Sequence, residues 1–324
     1  GWATIGTNLA ALVTFTIFTA LIAKAGFTVT NIIFGIATIV MGLINLIFIK
    51  NDPEQAGFKP DNGDFTEEEL AAHRARMSGP MTWTNKEAMK DKNFWLIGIA
   101  YGILFMCSTG LLQQLVPYQI AMNGPIRAAQ MAAAAGSQNV GEFMGAGMGA
   151  AAATASTVMK ILPALAVPGS IFSGWLDQKI GTRRTAIIMA ICYAVACLCA
   201  GLLPFNPVTN YAFIFLFFFW TGANANLGMS HAASVFGARD YGHVWGRCAF
   251  IVNLFRVTAA IVLSWGISHF AVMTPAGTVN NGPGYRAGYT VFFVLACISI
   301  ILLFLTDSRV DKKPGEKVTA RYKD

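Results

Sequence analysis

Eight runs of roughly 20 mostly apolar residues divide this chain, and that pattern leaves few folds open. They lie at 3–23, 27–49, 94–118, 153–176, 185–203, 209–233, 245–270 and 287–305. Pro163 and Pro168 interrupt the fourth. Only 12% of residues are charged, about half the usual share in a soluble domain, so too few exist to cover a water-facing surface. The charges also cluster: residues 50–92 and the last nineteen positions are crowded with them. A chain partitions in this way when lipid is one of its solvents. The reading is an all-α integral membrane protein with a multi-pass topology.

Residues 50–92 carry "NDPEQAGFKPDNGDFTEEELAAHRARM", a polar loop in which 66–77 reads as a short surface helix. Residues 122–150 are rich in Ala and Gly and too weakly apolar to read as a span. With the long loop placed inside, seventeen Lys and Arg fall on the inner side and three (Lys24, Arg127 and Arg286) on the outer side. That bias places both the long loop and the polar tail 306–324 in the cytoplasm, with the protein in the cell's inner (cytoplasmic) membrane. The net charge of +7 does not indicate nucleic acid, because the basic residues lie between apolar runs and in the tail rather than on one face. Cys107, Cys192, Cys197, Cys199, Cys248 and Cys297 all sit in apolar runs without metal spacing and read as buried thiols. The chain opens at Gly1 inside an apparent span, so a preceding segment is expected.

Between the fourth and fifth spans, residues 174–184 read "GWLDQKIGTRR". An Asp at a helix end beside Lys and Arg can pair across the inner membrane face, and the glycines permit a tight turn. With Gly174, Asp177, Gly181, Arg183 and Arg184, the stretch resembles the loop signature of the major facilitator superfamily. The Gly174 to Asp177 spacing is one residue shorter than usual in that family. The resemblance implies a gating role for these five residues and a major facilitator helical bundle. If the motif is the family's second copy, the spans are helices 5–12, and helices 1–4 of the same protein are missing. Residues 1–49 then hold the last two helices of the N-terminal half, 50–92 the central cytoplasmic loop, 93–305 the C-terminal six-helix half and 306–324 the tail. Two shorter stretches, "LVPYQIAMNGP" at 115–125 and "FGARDYGHVWG" at 236–246, resemble the oxalate/formate antiporter and monocarboxylate transporter branch. In that branch, basic residues of helices 8 and 11 hold a carboxylate; their registers fall here near Ser170 and Cys248.

An ionisable group in a span costs roughly 2.5–3.5 kcal/mol near the bilayer centre, which makes it a functional candidate. Lys160 and Arg256 lie at similar depth, with no Asp or Glu visible in any span. Two such cations call for anions, and a substrate carboxylate or phosphate would supply them. The competing reading has Lys160 snorkel to the surface and Arg256 bond to backbone carbonyls. Asn253 and Thr157 stand one turn from these cations, and Gln113, Gln114, Asn224 and Asn226 are amides at plausible depths. Each amide alone also fits an interhelical hydrogen bond. Gly141, Gly145 and Gly149 read as a packing ridge, and His231 and His243 as structural. No phosphate loop, nucleophile elbow or metal cluster occurs, so neither an enzyme nor a cofactor is expected. The expectation is secondary active transport of a small organic anion by alternating access, as antiport or proton symport. A non-transporting membrane sensor of the same fold is the alternative.

Overall fold

The computed structural model describes residues 2–49, 66, 68, 71, 83–161, 163–237, 240–273 and 279–307, without the side chains of 2–5, 7–9, 11, 12, 15, 160 and 161. The helix expected at 66–77 lies almost wholly outside the described residues. The chain divides into two compact units, Val13–Met81 and Gly1–Leu12 with Thr82–Asp324.

Helix α1 (Trp2–Phe48) is broken at Gly26, whose φ of 80° and ψ of 168° leave helical space. Glycine reaches that region without a Cβ clash. The rings of Phe18 and Phe34 meet at 5.2 Å. Sixteen residues of straight helix would hold them about 24 Å apart. The chain therefore folds back at Gly26, and each arm, 2–25 and 27–48, is long enough to span a bilayer.

The other helices are α2 (Asn85–Lys90), α3 (Lys92–Ala134), α4 (Val140–Ile161), α5 (Pro163–Ile180), α6 (Thr182–Gly201), α7 (Pro207–Phe236), α8 (Tyr241–Phe270) and α9 (Gly282–Leu305). A two-stranded antiparallel pair, Val272–Met273 with Val279–Asn280, lies between α8 and α9. Seven helical runs among the described residues are long and apolar enough to cross a membrane. The first of them belongs to α1, whose two arms on either side of Gly26 bring the number of membrane-length helices to the eight read from sequence. In lipid every backbone group must bond within its own helix, which is why such runs settle as helices even across proline.

Two boundaries differ from the sequence reading. The third span continues to Ala134 through Pro117 and Pro125, and the fourth begins at Val140. At about 1.5 Å per residue, α3 is roughly 64 Å long, twice a bilayer's hydrocarbon core of about 30 Å. The weakly apolar residues 122–150 are thus largely a helical hairpin between α3 and α4. The packing glycine in it is Gly147: a Cβ there would lie 2.6 Å from both Gly124 O and Ala128 N. Gly145 and Gly149 of the expected ridge face open space.

Helices α3 to α9 pack with an internal symmetry. The main pairs are α3 with α4, α6 with α9, α3 with α8, α6 with α7, α5 with α7, α8 with α9, α3 with α9, α3 with α7, α7 with α8, and α5 with α6, with α4 and α5 counted as one element. Exchanging α3, α4–α5 and α6 for α7, α8 and α9 maps this set onto itself. The two triplets begin at opposite ends of the bundle, so they form an inverted three-plus-three repeat, a device of major facilitator halves. The antiparallel α6–α9 pair carries the same symmetry in detail. Arg183, near the start of α6, donates to Leu303 O (3.4 Å) and to Phe304 O at the end of α9. Arg286, near the start of α9, donates to Gly201 O, Leu202 O and Leu203 O at the end of α6, each at 3.0 Å. Each arginine lies on carbonyls at a helix end and complements that end's negative dipole. An aromatic cluster fills the bundle's core, with Tyr118 and Tyr289 edge to face at 5.0 Å. The architecture is an all-α membrane bundle consistent with the major facilitator fold.

Candidate functional site

Arg256 lies fifteen residues into α8, about 22 Å along the helix from the end that carries Tyr241. Its Nε donates to Thr109 Oγ1 of α3 at 3.0 Å, and its guanidinium carbon stands 5.9 Å from the centre of the Phe105 ring. Thr109 and Phe105 are four residues apart, one above the other on α3. The hydroxyl fixes one edge of the guanidinium, and the ring attracts the cation from its face. Among the described residues neither terminal nitrogen has a protein partner. The fork that binds a carboxylate or phosphate in two places therefore remains available. Asn253, one turn before Arg256, is exposed on the same side of α8.

The remaining candidates are dispersed. Gln113, one turn beyond Thr109, is exposed on the α3 stripe that begins at Phe105. Gln114 is engaged elsewhere, accepting from Tyr285 Oη at 3.1 Å, so it serves the α3–α9 contact. Asn224 on α7 is 2% exposed, yet neither side-chain polar atom has a partner among the described residues. A buried amide left bare costs about 1–3 kcal/mol, so it suits a polar ligand or a water. Thr157 bonds to its own helix at Ala153 O (2.9 Å). Lys160 belongs to α4, but its side chain lies outside the described residues.

At the registers where the oxalate/formate branch would place cations, this chain has close helix contacts. Ser170 is fully buried, and its hydroxyl reaches Ala166 O (2.9 Å) and Gly222 O (3.1 Å) across the α5–α7 crossing. A Cβ on Gly222 would lie 2.3 Å from both Ser170 Oγ and Ala166 O. No long cationic side chain fits there. Cys248 is equally buried, its Sγ 3.7 Å from Phe94 O.

The loop motif forms a connected polar junction. Ser230 of α7 donates to Asp177 Oδ2 at 2.8 Å, and Thr182 Oγ1 lies 3.2 Å from Ser230 Oγ. With the serine proton committed to the carboxylate, Thr182 must be the donor to Ser230. Gly181 makes the turn with φ 86°, and its N–H returns to Asp177 O at 3.0 Å. Asp177 thus ties α5, α6 and α7 together, Arg183 caps α9, Gly174 lies within α5, and Arg184 makes no side-chain bond among the described residues. A further tie was not legible in sequence. Asp240, 1% exposed in the 236–246 stretch, accepts the backbone N–H of Trp83 at 3.0 Å. Trp83, equally buried, packs edge to face on Phe236 at 5.2 Å. The start of the 83–92 segment is thereby fastened to the α7–α8 turn.

These features define a multi-pass helical membrane protein with a fixed cation at mid-depth and a polar junction at one end. Over 128 residues the chain is 30% identical to a probable inorganic phosphate transporter 1-8 of Oryza sativa subsp. japonica, a stretch covering 38% of this chain and 23% of that protein. The chain thus matches less than a quarter of that relative's length. No protein-family model matches the chain.

Proposed function

We propose that the protein is a secondary active transporter of small anions, built on the major facilitator plan and working by alternating access. The observation that carries this reading is Arg256, held by Thr109 and Phe105 with the outer fork of its guanidinium unpaired among the described residues. A guanidinium stays charged at any working pH and matches planar oxyanions bidentately. Asn253 and Gln113, exposed on α8 and α3, supply polar neighbours, and the amide of Asn224, without a partner among the described residues, stands at similar depth on α7. Lys160 would add a second charge. The inverted repeat supports rocking of one helical bundle against another. Transport would run as anion exchange or with a proton.

Small organic carboxylates are the substrate class we favour, since one guanidinium with amide neighbours suits a singly or doubly charged carboxylate. The packed Ser170 and Cys248 positions argue against the oxalate/formate branch's own arrangement of cations. Inorganic phosphate is the second reading, favoured by the stretch similar to a probable phosphate transporter. The test is uptake of radiolabelled acetate, oxalate and phosphate by the full-length protein in liposomes. Saturable uptake of a carboxylate supports the first reading, and saturable uptake of phosphate alone supports the second. Binding of these anions without any flux above empty vesicles would replace transport with a sensor.

A further inference from the structure

We propose that the corner between α5 and α6 is a binding surface for acidic phospholipid, formed by Ile171, Phe172, Trp175, Lys179 and Arg184. Phe172, Trp175 and Lys179 follow one another at three- and four-residue steps and Ile171 stands four residues before Trp175, so the four share one face of α5, about 100° wide. Among the described residues nothing covers that face: Ile171, Phe172 and Trp175 are 48%, 40% and 49% exposed, and Lys179 is exposed as well. Along the helix axis the order is aliphatic, aromatic, tryptophan, lysine. It reproduces the layering of a bilayer leaflet from acyl chain through interface to headgroup.

The side chains are arranged to suit that partner. The Phe172 and Trp175 rings stand 5.8 Å apart. Lys179 folds back so that its Nζ lies 4.6 Å from the centre of the Trp175 ring, which keeps the ammonium at the level of the interface. Past the tight turn at Gly181, the exposed Arg184 adds a second cation. It is distinct from its neighbour Arg183, whose guanidinium is committed to the end of α9. The carboxylate of this turn, Asp177, is bonded by Ser230 of α7. The surface therefore presents an apolar track ending in two cations. An acyl chain would lie on the track, with the lipid phosphate at Lys179 and Arg184.

The test uses the full-length protein in mixed micelles, titrated with phosphatidylglycerol or phosphatidylcholine brominated near the headgroup. The readout is quenching of the part of the fluorescence that disappears in Trp175→Phe. Two surface cations at about 1 kcal/mol each predict half-quenching by phosphatidylglycerol at a roughly ten- to thirtyfold lower mole fraction than by phosphatidylcholine. The preference should shrink in high salt and vanish in Lys179→Gln/Arg184→Gln, while Lys179→Arg retains it. Equal quenching by both lipids in the parent would overturn the proposal, as would a preference that survives loss of both cations. A Trp175 contribution that neither lipid quenches would also overturn it, by showing that protein, from another part of the molecule or a second copy, covers this face.

Discussion

The crossing of α5 and α7 is close enough that a single methyl group should separate the two helices. A Cβ on Gly169 would lie 1.7 Å from Phe219 O, and one on Gly222 would lie 2.3 Å from Ala166 O and Ser170 Oγ. Ordinary contacts need more than 3 Å, so the helices must part by about 1 Å or more. Overpacking of this kind typically costs about 1–3 kcal/mol. Parting also breaks the bond from Ser170 to Gly222 O; such interhelical bonds average about 0.6 kcal/mol in membranes. The expected loss for either alanine variant is therefore about 2–4 kcal/mol. At roughly 2–4 °C per kcal/mol for a unit of this size, that is a fall in Tm of about 4–16 °C. The control is Gly149→Ala, which meets nothing within 4 Å and gains helix propensity. Thermal unfolding in detergent, followed by fluorescence-detected size exclusion, checks this. If Gly169→Ala melts with the Gly149→Ala control, the tight crossing, and with it the inverted packing built around it, is wrong.

Other expectations follow from the polar junctions and the capped helix ends. Asp177→Asn, which weakens the acceptor for Ser230, should slow transport while leaving anion affinity within a few-fold; a large loss of affinity at normal turnover would contradict a gating role. Arg183→Gln and Arg286→Gln should each lower Tm by uncovering a helix end, at roughly 1–2 kcal/mol apiece, and similar losses at the two sites would report the symmetry of the α6–α9 pair. Asp240→Ala should release Trp83 and cost about 1.5–3 kcal/mol, read as faster proteolysis near residues 83–92; unchanged cleavage would show that the tie carries no load. A reporter fused after Asp324 should behave as cytoplasmic, as the basic bias requires.

Hydropathy made most of the bundle legible, because the bilayer demands long apolar runs whatever their tertiary contacts. It failed at residues 122–150, where Ala and Gly support a helix without making it strongly apolar. Pro117 and Pro125 also sit inside α3 rather than ending it, since a membrane helix tolerates proline when neighbours satisfy the freed groups. The ridge expected at Gly141, Gly145 and Gly149 announced a close contact, but Gly145 and Gly149 face open space, and Gly147, roughly on the opposite side, meets α3. Spacing alone says that small residues line up, and only the neighbour's position says which row is used. Arg256 was visible because a charge in an apolar run has few reasons to be there. Its partner Thr109, 147 positions away in sequence, carried no such signal. Asn224 and Gln114 looked alike in sequence, yet one is buried with a bare amide and the other is bonded to Tyr285. That distinction depends on which side chains lie opposite across the helix contacts.

The central claim is that Arg256 holds the transported anion. The most direct measurement is the affinity of the full-length protein for acetate, oxalate and phosphate, compared among the parent, Arg256→Gln and Arg256→Lys, with membrane expression and Tm matched. Hydrogen bonds to charged groups contribute roughly 1.5–3 kcal/mol. At about 1.4 kcal/mol per decade, Arg256→Gln should weaken binding of the transported anion by about tenfold to a hundredfold. Arg256→Lys should recover only part, because a point charge lacks the fork. Binding by a folded Arg256→Gln variant equal to the parent's would contradict the account, and Arg256 would then be a packing residue tied to Thr109.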